Sequence, residues 1–184
     1  QYDRGPVEPS FELAYVTLLL QPSPSQQTAL QQLLAQQQDP SSPHYHQWLT
    51  PEQYAARFGL SPGDIAIVVS WLQSEGLKVN DVARGRHWIA FTGTAGLIDS
   101  AFHTAIHRYN VEGETHFATA SEPSVPAALA GVVSGFQGLD DFYPKPMHRL
   151  VPAGGPAYNS SSGAHYLAPD DFATIYDLNP LYNA

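Results

Sequence analysis

The chain has 184 residues, enough for one domain of ordinary size and a tail, and hydrophobic residues make up 43% of it, enough for a real core. Lys and Arg total 8 against 17 Asp and Glu, a formal net charge of −9, so phosphate backbones and anionic membranes should repel it. No apolar run approaches the roughly 20 residues of a membrane span, and with no Cys there are neither disulfides nor thiolate metal sites.

Residues 1–10 read as a polar lead-in. "FELAYVTLLL" (11–20) is β-branched, aromatic and aliphatic, and predicts a strand ended by Pro22 and Pro24. Residues 25–38 predict a helix with Leu30, Leu33 and Leu34 on its apolar face, and its Gln residues a solvated face. "DPSSPHYHQWLT" is a loop, followed by a short helix with Thr50 as N-cap and Pro51 at its first position. Ser61 caps a further helix with the stripe Ile65, Val68, Val69 and Leu72, stopped at Gly76. Strands follow at 77–83 and 87–93 around the turn "RGR". Thr94 caps a helix whose inner face is Leu97, Ile98, Ala101, Phe102 and Ala105. A hairpin turns at Glu112-Gly113, "PAALAG" makes a helical turn, and 132–139 a last strand. This order predicts an α+β fold of the ferredoxin-like kind, an antiparallel sheet with helices packed on one face, plus an extended C-terminal linker.

Such a sheet should alternate apolar and polar residues along each strand. Counted by parity, the strands at 11–20 and 87–93 are apolar on both sides. Either residues 39–60 or the 107–119 hairpin cover the second face, or that face docks onto another protein.

Chemistry is hard to find. There is no P-loop, no GxSxG elbow and no HExxH. His44 and His46 flank Tyr45 with no carboxylate or Cys close by, and His103 and His107 stand four apart at the end of a helix, another possible metal pair. The simpler readings are a loop pair and a helix C-terminus favouring cationic rings. The doublets Asp140-Asp141 and Asp170-Asp171 show no convergence on a pocket; the second fits the first turn of a helix after Pro169. Asn159-Ser160-Ser161 is a formal glycosylation sequon.

"HYHQWLTPEQYAARFGLSPGDIAIVVSWLQSEGLKV" (44–79) resembles the signature of the pro-kumamolisin activation domain, the propeptide of sedolisins or serine-carboxyl peptidases. The matching residues, in order, are Tyr45, Trp48, Leu49, Thr50, Pro51, Glu52, Phe58, Gly59, Asp64, Trp71, Leu72, Gly76 and Leu77. "FTGTAGLIDSAFHTAIHRYN" and "SEPSVPAALAGVVSGFQGLDDF" resemble later blocks of the same family. The resemblance implies a propeptide at 11–143, a linker with the processing region at 144–164, and the start of a peptidase domain at 165–184, where "YLAPDDFATIYDLN" resembles the first mature segment.

The resemblance also implies a role, that of an intramolecular chaperone and inhibitor, removed by proteolysis at acid pH, with the chain's own peptidase domain as partner. Localisation would be secreted or extracellular, a signal peptide having been removed. The family's catalytic Ser, Glu and Asp and its calcium site belong to the peptidase domain beyond this stretch, so catalytic, cofactor and metal residues are expected to be absent here. Met147, His148, Arg149 and Leu150 are the expected cleft-binding segment, and His87, His107 and His148 the candidate pH sensors. A free-standing ferredoxin-like protease inhibitor is the alternative.

Overall fold

The structure is a computed structural model and describes residues 2–143, 158–159, 165–166, 168–176 and 178. The chain divides into two units, 1–142 and 143–184.

The larger unit is built on a four-stranded antiparallel sheet. Its strands are β2 (Glu12–Leu20), β3 (Lys78–Val82), β4 (Trp88–Thr94) and β7 (Val133–Gln137), in the order β3-β4-β2-β7. With α1 (Pro24–Gln38), α2 (Pro51–Phe58) and α3 (Pro62–Ser74) between the first two strands and α4 (Ala95–Phe102) after the third, this is the split βαβ order the sequence predicts.

Two features of this unit lie outside the predicted pattern. The polar lead-in contains a strand, β1 (Asp3–Pro6). It pairs with β5 (Ile106–Val111), and β5 pairs with β6 (Glu114–Thr119), so the hairpin becomes a separate three-stranded sheet, β1-β5-β6. That sheet does not cover the second face of the first. It adds Ile106, and Phe117 at its margin, to the helix-side core, along with Val7 just after β1.

The second feature is a β-bulge. The register runs Leu13↔Gly93 and then Val16↔Phe91, so β2 carries one extra residue at Ala14-Tyr15. The bulge resets parity, and Leu13, Val16, Leu18 and Leu20 all face the core. The strand does alternate, once the extra residue is counted. Thr92 Oγ1 donates to the Ala14 carbonyl of the bulge at 2.6 Å and accepts from Asn80 Nδ2 at 2.6 Å.

The core lies between the sheet and two helices. Val68 and Leu72 of α3 and Ile98, Ala101 and Phe102 of α4 meet Val16, Leu18, Ile89 and Phe91. Thr94 stands at the N-cap of α4 without capping it. The first helical N–H groups instead bond to the carbonyls of Phe11 and Pro9, at 2.8 and 3.0 Å for Ala95 and Gly96. Helix α1 departs from its predicted face: Leu33 and Gln37 are buried, while Leu34 is exposed.

The smaller unit, as far as it is described, holds a short ladder of β8 (Tyr158–Asn159) with β9 (His165–Tyr166), and helix α5 (Pro169–Ile175). Asp170 and Asp171 occupy the first turn of α5, and Asp171 Oδ2 accepts from Ala168 N at 2.7 Å. Both lie in the first turn, as their position after Pro169 predicts, and Asp171 caps the helix.

Candidate docking surface

The face of the four-stranded sheet opposite the helices carries Tyr15, Thr17 and Leu19 of β2 and Trp88, Ala90 and Thr92 of β4. Lys78 and Asp81 of β3 stand opposite Thr92 and Ala90, and Gly135 and Gln137 of β7 opposite Leu19 and Thr17. Tyr15 is 57% exposed, and Leu19 and Trp88 are half-buried. Leu19 and Trp88 take no part in the core cluster. The result is a mixed face with an aromatic and aliphatic strip flanked by polar residues. The bulge makes it less apolar than the parity count predicts.

The residues of the 44–79 stretch divide by job. Thr50 caps α2 in a reciprocal box with Gln53, and Pro51 starts it. Phe58 is buried at the end of α2. Gly59 is required by close approach, because a Cβ there would lie 2.6 Å from the Gly85 carbonyl oxygen. Trp71 packs edge-on against the Phe102 ring at 5.5 Å, Leu72 is buried, and Gly76 takes the left-handed φ of 80° that ends α3. Leu49 is half-buried. Tyr45 and Trp48 project from the surface.

The candidate histidines are in different situations. His87 is exposed, its ring edge-on to Tyr54 at 5.9 Å and beside Trp88 at 6.3 Å. His107 lies on β5, with its Nδ1 2.9 and 3.0 Å from the two carboxylate oxygens of Asp3. His148 lies outside the described residues, as do Met147, Arg149 and Leu150 of the expected cleft-binding segment. His103 caps α4 in the left-handed region (φ 51°) while His107 is in a strand, so the two do not share a helix face.

The bond from Gly5 N–H, and then His107, hold the Asp3 carboxyl below the usual carboxylate range. Because that pKa is depressed on folding, Asp3 stabilises the chain above the ordinary aspartate value, and the gain is lost as pH falls through the lowered one. Asp3→Asn should therefore lower the thermal midpoint at pH 6, and the gap from the parent should close as pH is taken below about 4. A constant gap across that range would contradict the assignment.

Sequence reasoning misses one side-chain cluster. Asp141 Oδ1 accepts the Phe117 N–H at 2.8 Å and lies 3.2 Å from His116 Nδ1, while the Phe142 ring stacks on His116 at 4.4 Å. His116 Nε2 is 3.7 Å from Glu114. The cluster fixes the last residues of the larger unit to β6. Its sequence trace is the Asp140-Asp141 doublet, which does not reveal a His 25 residues away. Asp141→Ala should cost about 2 kcal/mol, the range for a hydrogen bond to a charged group. Faster hydrogen exchange at the Phe117 amide checks this, and unchanged exchange would refute it.

A groove of about 570 Å³ runs beside β7, lined by Thr119, Glu122, Ser134, Phe136, Leu139 and Asp140 among others. Its polar lining is the carboxylates of Glu122 and Asp140 and the hydroxyls of Thr119, Ser124 and Ser134. Among the described residues no three His, Cys, Asp or Glu side chains converge as metal ligands, and no helix is long and apolar enough to cross a membrane.

Comparison with known proteins matches this architecture to one family. The profile of the "Pro-kumamolisin, activation domain" covers residues 2–142. The chain is 35% identical over 156 residues to xanthomonalisin of Xanthomonas sp. (strain T-22), covering 80% of this chain and 19% of that protein. It is 26% identical over 151 residues to sedolisin of Pseudomonas sp. (strain 101), covering 82% of this chain and 26% of that protein. Aorsin of Aspergillus oryzae is 30% identical over 100 residues, 53% of this chain and 15% of its own. The chain thus spans about a fifth to a quarter of the first two relatives. It belongs to the pro-kumamolisin activation domain family, the propeptides of sedolisin-type peptidases.

Proposed function

We propose that this chain is the N-terminal propeptide of a secreted serine-carboxyl endopeptidase of the sedolisin type. It acts as intramolecular chaperone and inhibitor of its own peptidase domain and is cut away in acid. The observation that carries this reading is the family match over residues 2–142, at the N-terminal side of a segment that resembles the first stretch of a peptidase domain. The geometry supports it: the sheet face that bears Tyr15, Leu19 and Trp88 lies outside the helix-side core, and Tyr15 is exposed on it.

A template of this kind works by offering a finished surface. The peptidase domain, slow to fold alone, buries apolar area against the strand face before its own core is complete, and the barrier falls. The same contact holds the connecting segment at high local concentration near the substrate cleft. Reaction chemistry belongs to the peptidase domain. So does the calcium site that the resemblance implies.

Acid release needs groups that prefer the free state when protonated. A histidine buried neutral on docking weakens the complex by about 1.4 kcal/mol for each unit by which docking lowers its pKa. The loss sets in as pH falls below the free-state value and is complete below the bound-state one. His87, exposed beside Trp88 in this chain, is placed for that role. His107, within hydrogen-bond distance of Asp3, is the second candidate, and His148 the third. Replacing all three with Gln should shift the pH midpoint of autoprocessing. An unchanged midpoint would assign the trigger to carboxylates.

The folding role is tested by deleting residues 1–143 from the parent gene. The truncated peptidase should be inactive, and adding this chain during refolding should restore activity. Full activity from the truncated gene would refute the chaperone role.

A further inference from the structure

The loop between α1 and α2 is unusually well fastened for an exposed segment. Asp39 Oδ1 accepts from the Ser41 N–H at 2.8 Å and its hydroxyl at 2.7 Å, and Ser42 and Tyr45 continue the turn through backbone bonds. Gln37, the buried polar residue of α1, then clamps the loop from both sides. Its carbonyl accepts the His46 N–H at 3.2 Å, and its side-chain amide donates to the Gln47 carbonyl. Between these two bonds His46 is held at φ 55°, a left-handed backbone that costs a non-glycine residue on the order of 1 kcal/mol.

What the clamp displays is a column of three rings. Tyr45 stacks on His46 at 3.7 Å with an interplanar angle of 23°, and His46 stacks on Trp48 at 5.7 Å and 22°. Trp48 is 63% exposed and Tyr45 39%. Neither ring contributes to the core. Rigid, pre-ordered aromatic surface is what interface hot spots are made of, because fixing it on binding costs little further entropy.

We infer that the Tyr45–His46–Trp48 column is a preformed anchor for the peptidase domain of the parent chain, seated in an apolar recess of that domain and separate from the strand face. The inference rests on the propeptide reading. The occupant follows from length and tethering. This chain spans only 19% and 26% of the relatives it matches. The remaining body, joined covalently, meets any exposed anchor at an effective concentration in the millimolar range. Position agrees: Trp48 leads into α2, whose Tyr54 touches His87, which in turn touches Trp88 of the strand face.

The test titrates the 184-residue chain into the mature peptidase of the same gene and follows inhibition. The wild-type chain should inhibit. Trp48→Ala should raise the inhibition constant about 30-fold, as loss of a hot spot does, and Trp48→Phe should recover most of the loss. Thermal midpoints of the three chains should agree, because the ring is exposed and outside the core. Inhibition by Trp48→Ala within about twofold of wild type would overturn the anchor and leave the propeptide reading intact. Failure of the wild-type chain to inhibit would overturn both. Self-association of the chain that Trp48→Ala abolishes without changing inhibition would make the column a contact between copies and also overturn the inference.

Discussion

Gly59→Ala is expected to lower stability by about 3 kcal/mol, the upper range for forcing a methyl group into a packed site. The backbone at Gly59 (φ −78°, ψ 165°) suits any residue, so strain in φ is not the cause. The cost is steric. An added Cβ would lie 2.6 Å from the Gly85 oxygen, 2.9 Å from the Ala55 oxygen and 3.0 Å from the Ala55 Cα. All three are backbone atoms, so no rotamer change relieves the clash. Either α2 withdraws from the β3–β4 turn or the turn moves. Both displace His87, which leads into Trp88 of the strand face. Gly131→Ala is the matched control, because a Cβ there meets nothing within 4 Å. A urea midpoint well below the parent's for Gly59→Ala, with unchanged slope and a near-native midpoint for Gly131→Ala, confirms the packing account. Equal midpoints would refute it.

Phe102→Ala should be larger still, about 3–5 kcal/mol. The ring is fully buried at the end of α4 and touches three others: Phe136 at 4.7 Å, Trp71 at 5.5 Å and Phe91 at 5.7 Å. It is the point where α3, α4, β4 and β7 share one cluster. Truncation leaves a cavity that four elements must close at once, which they do only in part. Against a total stability of about 5–15 kcal/mol for a domain, the loss removes a large share of what holds the fold and should lower the thermal midpoint by many degrees. Phe102→Leu, which fills most of the volume, should cost on the order of 1 kcal/mol. Calorimetry distinguishes the two. An alanine variant with a native-like midpoint would show that this cluster is not the core.

The sequence made the main elements legible because their signals are local. Thr50-Pro51 and Ser61-Pro62 announce helix starts through caps and a fixed proline φ, and both helices begin there. The strand order follows from connectivity once the elements are placed. What escaped was non-local. A four-residue strand at Asp3–Pro6 has no apolar alternation to reveal it, because its pairing comes from β5, about a hundred residues later. The Ala14-Tyr15 bulge inverts a parity count, which turned an alternating strand into an apparently two-sided one. Gln37, read as one more solvated glutamine, is buried because its amide finds the Gln47 carbonyl in a loop that folds back on the helix. The His116–Asp141 contact depends on tertiary closure in the same way. Of the docking surface, Tyr15 and Trp88 were visible as candidates from the strands. The ring column was visible only as residue types in a loop, since stacking is set by the left-handed turn at His46.

The central proposal is that residues 1–142 fold as one unit and that this unit blocks a peptidase domain of its own parent chain. Adding the 184-residue chain to the mature peptidase at neutral pH, and again at acid pH, tests it most directly. The account predicts tight, reversible inhibition at neutral pH that weakens in acid. No inhibition at any concentration up to that of the tethered domain, on the order of millimolar, would contradict it.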